Sequence, residues 1–258
     1  MTPSPSPSPS QGETSPARRV QRVRHETRRR TLQVKRVEDL SPGLRRITLA
    51  GDELAGFVSA SFDDHVKLIF DAGDGQARPA VMRDYTPRRH DAAAGELDIV
   101  FALHGDGPAA AWAAQATACQ PLVVAGPRGS FVIPLDYDWH LLAGDETALP
   151  AIARRLEELP AGARAIVLLM VAPADRRPLA SAADVRLQWV DDGAALLAAA
   201  RALDLPAGEG YAWCAGEAAL MAALRRVLVD EKGHDRHAIR AAAYWKQGAI
   251  AHHENLEA

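Results

Sequence analysis

The sequence has little cysteine, no cluster of metal-ligating residues and no long apolar run. Only Cys119 and Cys214 occur among 258 residues, far apart and outside any CxxC pair. Without such spacing neither an iron–sulfur cluster nor a structural zinc site is expected. Two cysteines in a chain this long give no disulfide framework, which fits a reducing cytoplasm. No segment approaches the roughly 20 apolar residues that cross a bilayer, so no membrane insertion is expected. The start, MTPSPSPSPSQ at Met1–Gln11, lacks the basic and apolar regions of a secretory signal. Formal net charge is -3. No overall basic field therefore points to nucleic acid, and an anionic ligand must find its positive charge locally.

Hydrophobic residues make up 48% and charged residues 24%, proportions that suit a globular chain of one large or two modest domains. Pro/Ser alternation cannot bury enough surface to offset ordering entropy, so residues 1–28 are expected to be a disordered tail. The basic stretch Arg18–Arg30 ends that tail. It reads as a solvated lead-in to the first strand in preference to a surface for RNA or membrane.

From Thr31 to Pro134 the pattern alternates with period two. LQV (Leu32–Val34), RITL (Arg46–Leu49), VKLIF (Val66–Phe70), the run Leu97–Leu103 and LVVAG (Leu122–Gly126) are candidate strands. Turn signals at Ser41–Gly43, Ala72–Gly75 and Ala92–Gly95 separate them. A small antiparallel barrel follows, interrupted by one helix at Pro108–Ala118. After Asp138 the period changes. Trp139–Gly144, the apolar run Ala165–Val171, VRLQWV, YAWCAG and a strand near 238–245 alternate with helices at Leu149–Leu159, 194–203 and 217–230. Strand–helix repetition of this kind is a doubly wound α/β domain whose ligands sit beyond the strand carboxyl ends, here Gly144–Pro150 and Ala215–Glu217. The expected division is tail 1–28, barrel 29–136 and α/β domain 137–258. No GxGxxG occurs, which argues against a Rossmann dehydrogenase.

Motifs carry the functional reading. RDYTPR (Arg83–Arg88) offers an aromatic face for a flat ring and guanidinium forks for phosphate. Alone it is equally an edge strand with a core tyrosine. LHGDGPAAAWA (Leu103–Ala113) follows a strand and opens a helix, so backbone N–H groups at Gly105 and Gly107 can approach an anion. GPRGSF (Gly126–Phe131), AGDETALPAI (Ala143–Ile152), ADRRPL (Ala174–Leu179), WCAGE (Trp213–Glu217) and YWKQG (Tyr244–Gly248) follow in order. Together these resemble the siderophore-interacting proteins of the ferredoxin-reductase superfamily, over about residues 29–252. HGDGP is about one residue shorter than the family's form.

That resemblance implies a six-stranded antiparallel FAD-binding β-barrel followed by a nicotinamide-nucleotide-binding α/β domain. It implies FAD contacts from Arg83, Tyr85, Thr86, Arg88, His104, Gly105, Gly107, Pro108, Ala109 and Trp112. It places the nicotinamide nucleotide, NADPH or NADH, at Asp145, Glu146, Thr147 and Ala148, with helix capping the preferred reading for Glu146. Arg176 and Arg177 are candidates for the extra phosphate of NADPH. The implied substrate is a ferric siderophore, held by the cations Lys67, Arg128 and Lys246, with solvated surface cations as the competing reading of both lysines. Arg128 is equally a candidate contact to FAD phosphate. Implied too are a cytoplasmic monomer and ferredoxin as an alternative electron donor. A general flavin reductase with another acceptor and a non-enzymatic siderophore-binding protein remain open.

Overall fold

The computed structural model describes residues 19–70, 80–103, 107–248 and a short strand at 254–255. The first unit contains β1 (Gln21–Arg24), β2 (Arg29–Ser41), β3 (Leu44–Ala50), β4 (Val66–Phe70), β5 (Val81–Tyr85), β6 (Arg89–Asp91) and β7 (Glu96–Ala102). It continues with α1 (Pro108–Gln115), β8 (Pro121–Ala125) and β9 (Gly129–Val132). Seven of these strands form one antiparallel sheet in the order β5-β4-β8-β2-β3-β7-β6. Alternation explains the inner face: Leu32 and Val34, Ile47 and Leu49, Leu68, and Leu97, Ile99 and Phe101 are buried in one core. Ala109 and Ala113 of α1 pack into that core.

The second unit runs β10 (Trp139–Asp145), α2 (Leu149–Glu158), β11 (Arg164–Met170), β12 (Asp184–Val190), α3 (Gly193–Ala202), β13 (Gly210–Glu217), α4 (Ala218–Arg226), β14 (Ile239–Trp245) and β15 (Glu254–Asn255). Its sheet has the order β12-β11-β10-β13-β14-β15, parallel except for β15. The chain reverses direction across the sheet between β10 and β13, which makes their carboxyl ends the switch point. Leu141, Ala143, Ile166, Leu168, Ala212 and Cys214 face α3 and α4. Leu142, Val167, Leu169, Trp213 and Ala215 face α2, and that core also takes in Leu44, Phe62 and Val100 of the first unit. One apolar cluster therefore joins both units.

Four expectations are corrected. The sheet of the first unit has seven strands where six were expected, because the three-residue β6 is too short and too polar to show an apolar period. The tail expected over 1–28 includes strand β1, which pairs with β9. Its burial pattern is exposed throughout, so backbone hydrogen bonds and not apolar burial hold it. Arg30 is not solvated either: it is 4% exposed and donates to Glu53 O at 2.9 Å and Gly126 O at 3.1 Å. Helix α1 ends at Gln115, three residues early. The turn expected at Ala72–Gly75 lies outside the described residues.

Candidate flavin and substrate site

Strand register divides the motif residues between two faces. Val66 pairs with Tyr85 and Leu68 with Arg83, whereas Lys67 pairs with Asp84 and Ile69 with Met82. Val66 and Leu68 are buried in the inner core, so Arg83 and Tyr85 share the inner face and Lys67, Ile69, Met82 and Asp84 the outer one.

On the inner face the rings of Tyr85 and Phe101 lie 4.5 Å apart, Phe101 and Trp112 5.7 Å, and Phe70 and Trp112 5.5 Å. Burial pushes the Tyr85 phenol above its ordinary value. Next to this cluster α1 begins without a side-chain cap and without an acidic residue in its first turn. Both other helices with a capping side chain use a carboxylate: Asp192 accepts from Ala195 N and Glu217 from Leu220 N. A Cβ added at Gly107 would meet nothing within 4 Å. An aromatic platform beside a helix start that, among the described residues, has no side-chain cap and no acidic residue in its first turn fits a flavin ring and its diphosphate. His104 and Gly105 lie outside the described residues. Thr86, 7% exposed, is hydrogen-bonded to Tyr244 of β14.

The outer face holds a cavity of about 350 Å³ lined by Lys67, Arg128, Arg29, His65, Thr27 and the apolar Ile69 and Met82. Lys67 Nζ donates to both Asp84 oxygens, at 2.9 and 3.0 Å. A second cavity of about 310 Å³ adjoins it at Gly126, with Arg24, Arg28 and Arg30 in its wall. Gly126 has φ +102°, a left-handed conformation that favours glycine and turns the chain between the two cavities. Lys246 does not line the cavity that holds Lys67 and Arg128. It follows β14 on the second unit.

Asp145 is 0% exposed at the switch point. Its Oδ1 accepts from Thr147 N (2.9 Å) and from the Thr147 hydroxyl, and its Oδ2 accepts from Glu217 N (3.0 Å) and Trp245 Nε1 (2.9 Å). Burial and then Glu146 push its pKa up, and these donors oppose the rise. The carboxylate thus ties β10 to β13 and β14. Gly144 lets them meet, since a Cβ there would lie 2.2 Å from Ala215 O. Helix α2 has Ala148 as its N-cap and no side-chain cap at that residue, and Asp145 accepts from the nearby Thr147 N.

Several of the expected ligand residues have partners within the fold. Arg88 forms a two-pronged ion pair with Glu157 of α2, joining the units. Arg176 donates to Val171 O and Val190 O and pairs with Asp191, fixing the β11–β12 connection. Arg177 is half-buried, and burial and then Arg88 and Arg46 lower its pKa. Pattern reading also missed Asp63. It is 5% exposed, accepts from Trp213 Nε1 at 2.8 Å and lies 2.6 Å from Arg240 Nε. Burial pushes its carboxyl up while Arg240 and Trp213 pull it down. The paired acids in FDDH, set after an aromatic residue, were the available signal.

An antiparallel sheet with an aromatic cluster on its inner face, joined to a doubly wound domain, defines a ferredoxin-reductase-like architecture. Residues 137–248 match the family model of the siderophore-interacting protein, and 33–79 with 72–131 match the siderophore-interacting FAD-binding domain. The chain belongs to the siderophore-interacting protein family. It is 38% identical over 245 residues to an NADPH-dependent ferric-chelate reductase of Escherichia coli, covering 87% of this chain and 96% of that one. It is 34% identical over 251 residues to a ferric vibriobactin reductase of Vibrio cholerae, covering 87% and 93%. The crystal structure of a siderophore utilization protein from T. fusca superposes with a TM-score of 0.82 at 33% identity, covering 89% of this chain and 97% of that one. Among the described residues no helix is long and apolar enough to cross a membrane, and no group of three or more His, Cys, Asp or Glu could hold a metal ion.

Proposed function

We propose that this chain is an FAD-dependent ferric-siderophore reductase that takes electrons from NADPH and delivers them to Fe(III) in an anionic chelate. The observation that carries the reading is the outer-face cavity, lined by Arg29, Arg128 and Lys67, of which, among the described residues, only Lys67 has a carboxylate partner, Asp84. In a chain of net charge -3 such a cavity concentrates positive charge locally. The names of the Escherichia coli and Vibrio cholerae relatives support the acceptor, and the former supports NADPH as donor.

FAD, when bound, supplies the exchange between two-electron and one-electron chemistry that ferric reduction needs. Tyr85 and Trp112 offer ring faces that position the isoalloxazine, with Thr86 at the junction with β14. Arg83 and the backbone N–H groups of Gly107 and Ala109 are the diphosphate contacts, Pro108 between them having no N–H to donate. The segment Asp145–Ala148 shapes the carboxyl edge where the nicotinamide nucleotide sits, with the Asp145 carboxylate acting from inside the fold. Lys67 and Arg128 hold the acceptor by charge. Hard oxygen donors hold Fe(III) more firmly than Fe(II), so reduction loosens the metal and no protein general base is needed. We divide the chain into a flavin unit, 29–136, and a nucleotide unit, 137–258, supported by the family-model limits at 131 and 137. A cytoplasmic location agrees with the two free cysteines.

The test is anaerobic turnover of the FAD-loaded chain with NADPH, NADH or reduced ferredoxin as donor. An Fe(II)-specific chromogenic chelator follows the product, with ferric siderophores, ferric citrate and oxidised ferredoxin as acceptors. Ferric siderophores are expected to be reduced fastest. Equal rates with ferric citrate or ferredoxin would point to a general reductase, and binding without turnover to a siderophore-binding protein.

A further inference from the structure

The arginine-rich stretch at Arg18–Arg30 is a sequence feature that neither flavin nor nucleotide binding uses. Sheet register gives part of it a place. Arg29 of β2 pairs with Ala125 of β8, Ala125 pairs with Lys67 of β4, and Lys67 pairs with Asp84 of β5. Paired residues in a sheet point to the same face. Arg29, Ala125 and Lys67 therefore form a row across three neighbouring strands. At a strand spacing of about 4.8 Å, the two cationic positions stand about 10 Å apart. Only the methyl group of Ala125 lies between them, which leaves a hollow. Arg128 lines the same hollow, and Ile69 and Met82 give it an apolar side.

Asp84 balances Lys67 at the edge of the hollow, whereas Arg29 and Arg128 have no such partner among the described residues. No Asp or Glu lines it. Among the described residues the guanidinium groups of Arg29 and Arg128 make no hydrogen bond or ion pair, in contrast to Arg28, which pairs with Glu26. The sheet thus presents two unpaired guanidinium forks, and a lysine held by Asp84, around a space large enough for an aromatic chelate. Guanidinium planes suit adjacent oxygen pairs, and the apolar side suits ring faces.

We infer that Arg29 is a third substrate-binding cation, acting with Lys67 and Arg128, and that it selects polyanionic ferric chelates over neutral ones. The inference rests on the proposed reductase reading and assigns to Arg29 the position expected of Lys246. It also gives the lead-in a role: β1 and its pairing with β9 anchor the segment that carries Arg29.

The probes are gallium(III) tris-catecholate, trianionic and inert to reduction, and neutral gallium(III) tris-hydroxamate. Each is titrated into the FAD-loaded full chain by equilibrium dialysis. Arg29→Gln is expected to weaken catecholate binding about fivefold, the size of one charge removed at short range in a wet site. Arg29→Lys is expected to recover most of the loss, while hydroxamate binding stays unchanged. The difference between wild type and Arg29→Gln is expected to close at about 1 M salt. Lys246→Gln is expected to bind both chelates as wild type does. If wild type binds the catecholate but Arg29→Gln changes its Kd by less than about twofold, or weakens both chelates equally, the role of Arg29 is overturned and the reductase reading stands. Wild type that binds neither chelate overturns both.

Discussion

Asp63 offers the sharpest test of how the two units are joined. Its carboxylate comes from the first unit and meets Trp213 of β13 and Arg240 of β14, all three being buried or nearly so. Asp63→Ala leaves the guanidinium of Arg240, whose side chain is 11% exposed, without its counter-charge, and the Trp213 N–H without an acceptor. Removing one partner of a buried pair costs about 3–5 kcal/mol, with the orphaned indole N–H included in that range. Asp63→Asn keeps an acceptor for Trp213 and removes only the charge, so about 1–3 kcal/mol is expected. Pairing Asp63→Leu with Arg240→Met removes both charges and is expected to cost less than Asp63→Ala alone. Urea unfolding at neutral pH, followed by tryptophan fluorescence, measures all three. A loss below about 1 kcal/mol for Asp63→Ala would refute the account of this junction.

Three further outcomes follow from the same structure. Burial, and then Arg155, lowers the His140 imidazole to about 4. As pH falls the unfolded imidazole takes its proton first, near 6.5. The stability present above that pH is therefore lost on the way down to about 4, with about 2 kcal/mol gone at about pH 5. His140→Gln is expected to flatten this acid limb in urea titrations, and an unchanged limb would contradict it. Asp145→Ala removes the acceptor of four donors and is expected to destabilise by about 3–5 kcal/mol in thermal or urea unfolding; wild-type stability would count against its tie between strands. Tyr85→Ala is expected to raise the Kd for FAD about tenfold, with Tyr85→Phe near wild type. Fluorescence titration measures both, and equal behaviour of the two variants would remove the ring-face argument.

Long apolar periods made most of the fold legible. The strands Val66–Phe70, Glu96–Ala102 and Arg164–Met170 and the stripe of α2 follow the pattern of buried residues. Strands β1 and β6 escaped because neither buries an apolar face. The ribbon of β1 and β9 rests on backbone pairing, aided by His25 Nε2 2.7 Å from Ser130 Oγ. Residue type showed that cations matter but not which cations meet. Lys67 and Arg128 share a cavity through the register of β4 and β8 and the turn after it, whereas Arg29 enters through long-range strand pairing that no local pattern encodes. Likewise Arg88 and Arg176 look like phosphate ligands in sequence. Their carboxylate partners, Glu157 and Asp191, are brought to them only by the folded chain.

The most direct test of the central claim is a single anaerobic experiment. The chain is loaded with FAD, freed of excess cofactor, reduced with NADPH and mixed with a ferric tris-catecholate. The account predicts retained flavin, bleached by NADPH, whose oxidised absorbance returns as Fe(II) appears at two irons per flavin, the stoichiometry of a two-electron donor feeding a one-electron acceptor. A chain that keeps no flavin after removal of excess, or keeps reduced flavin in the presence of the ferric chelate, would contradict it.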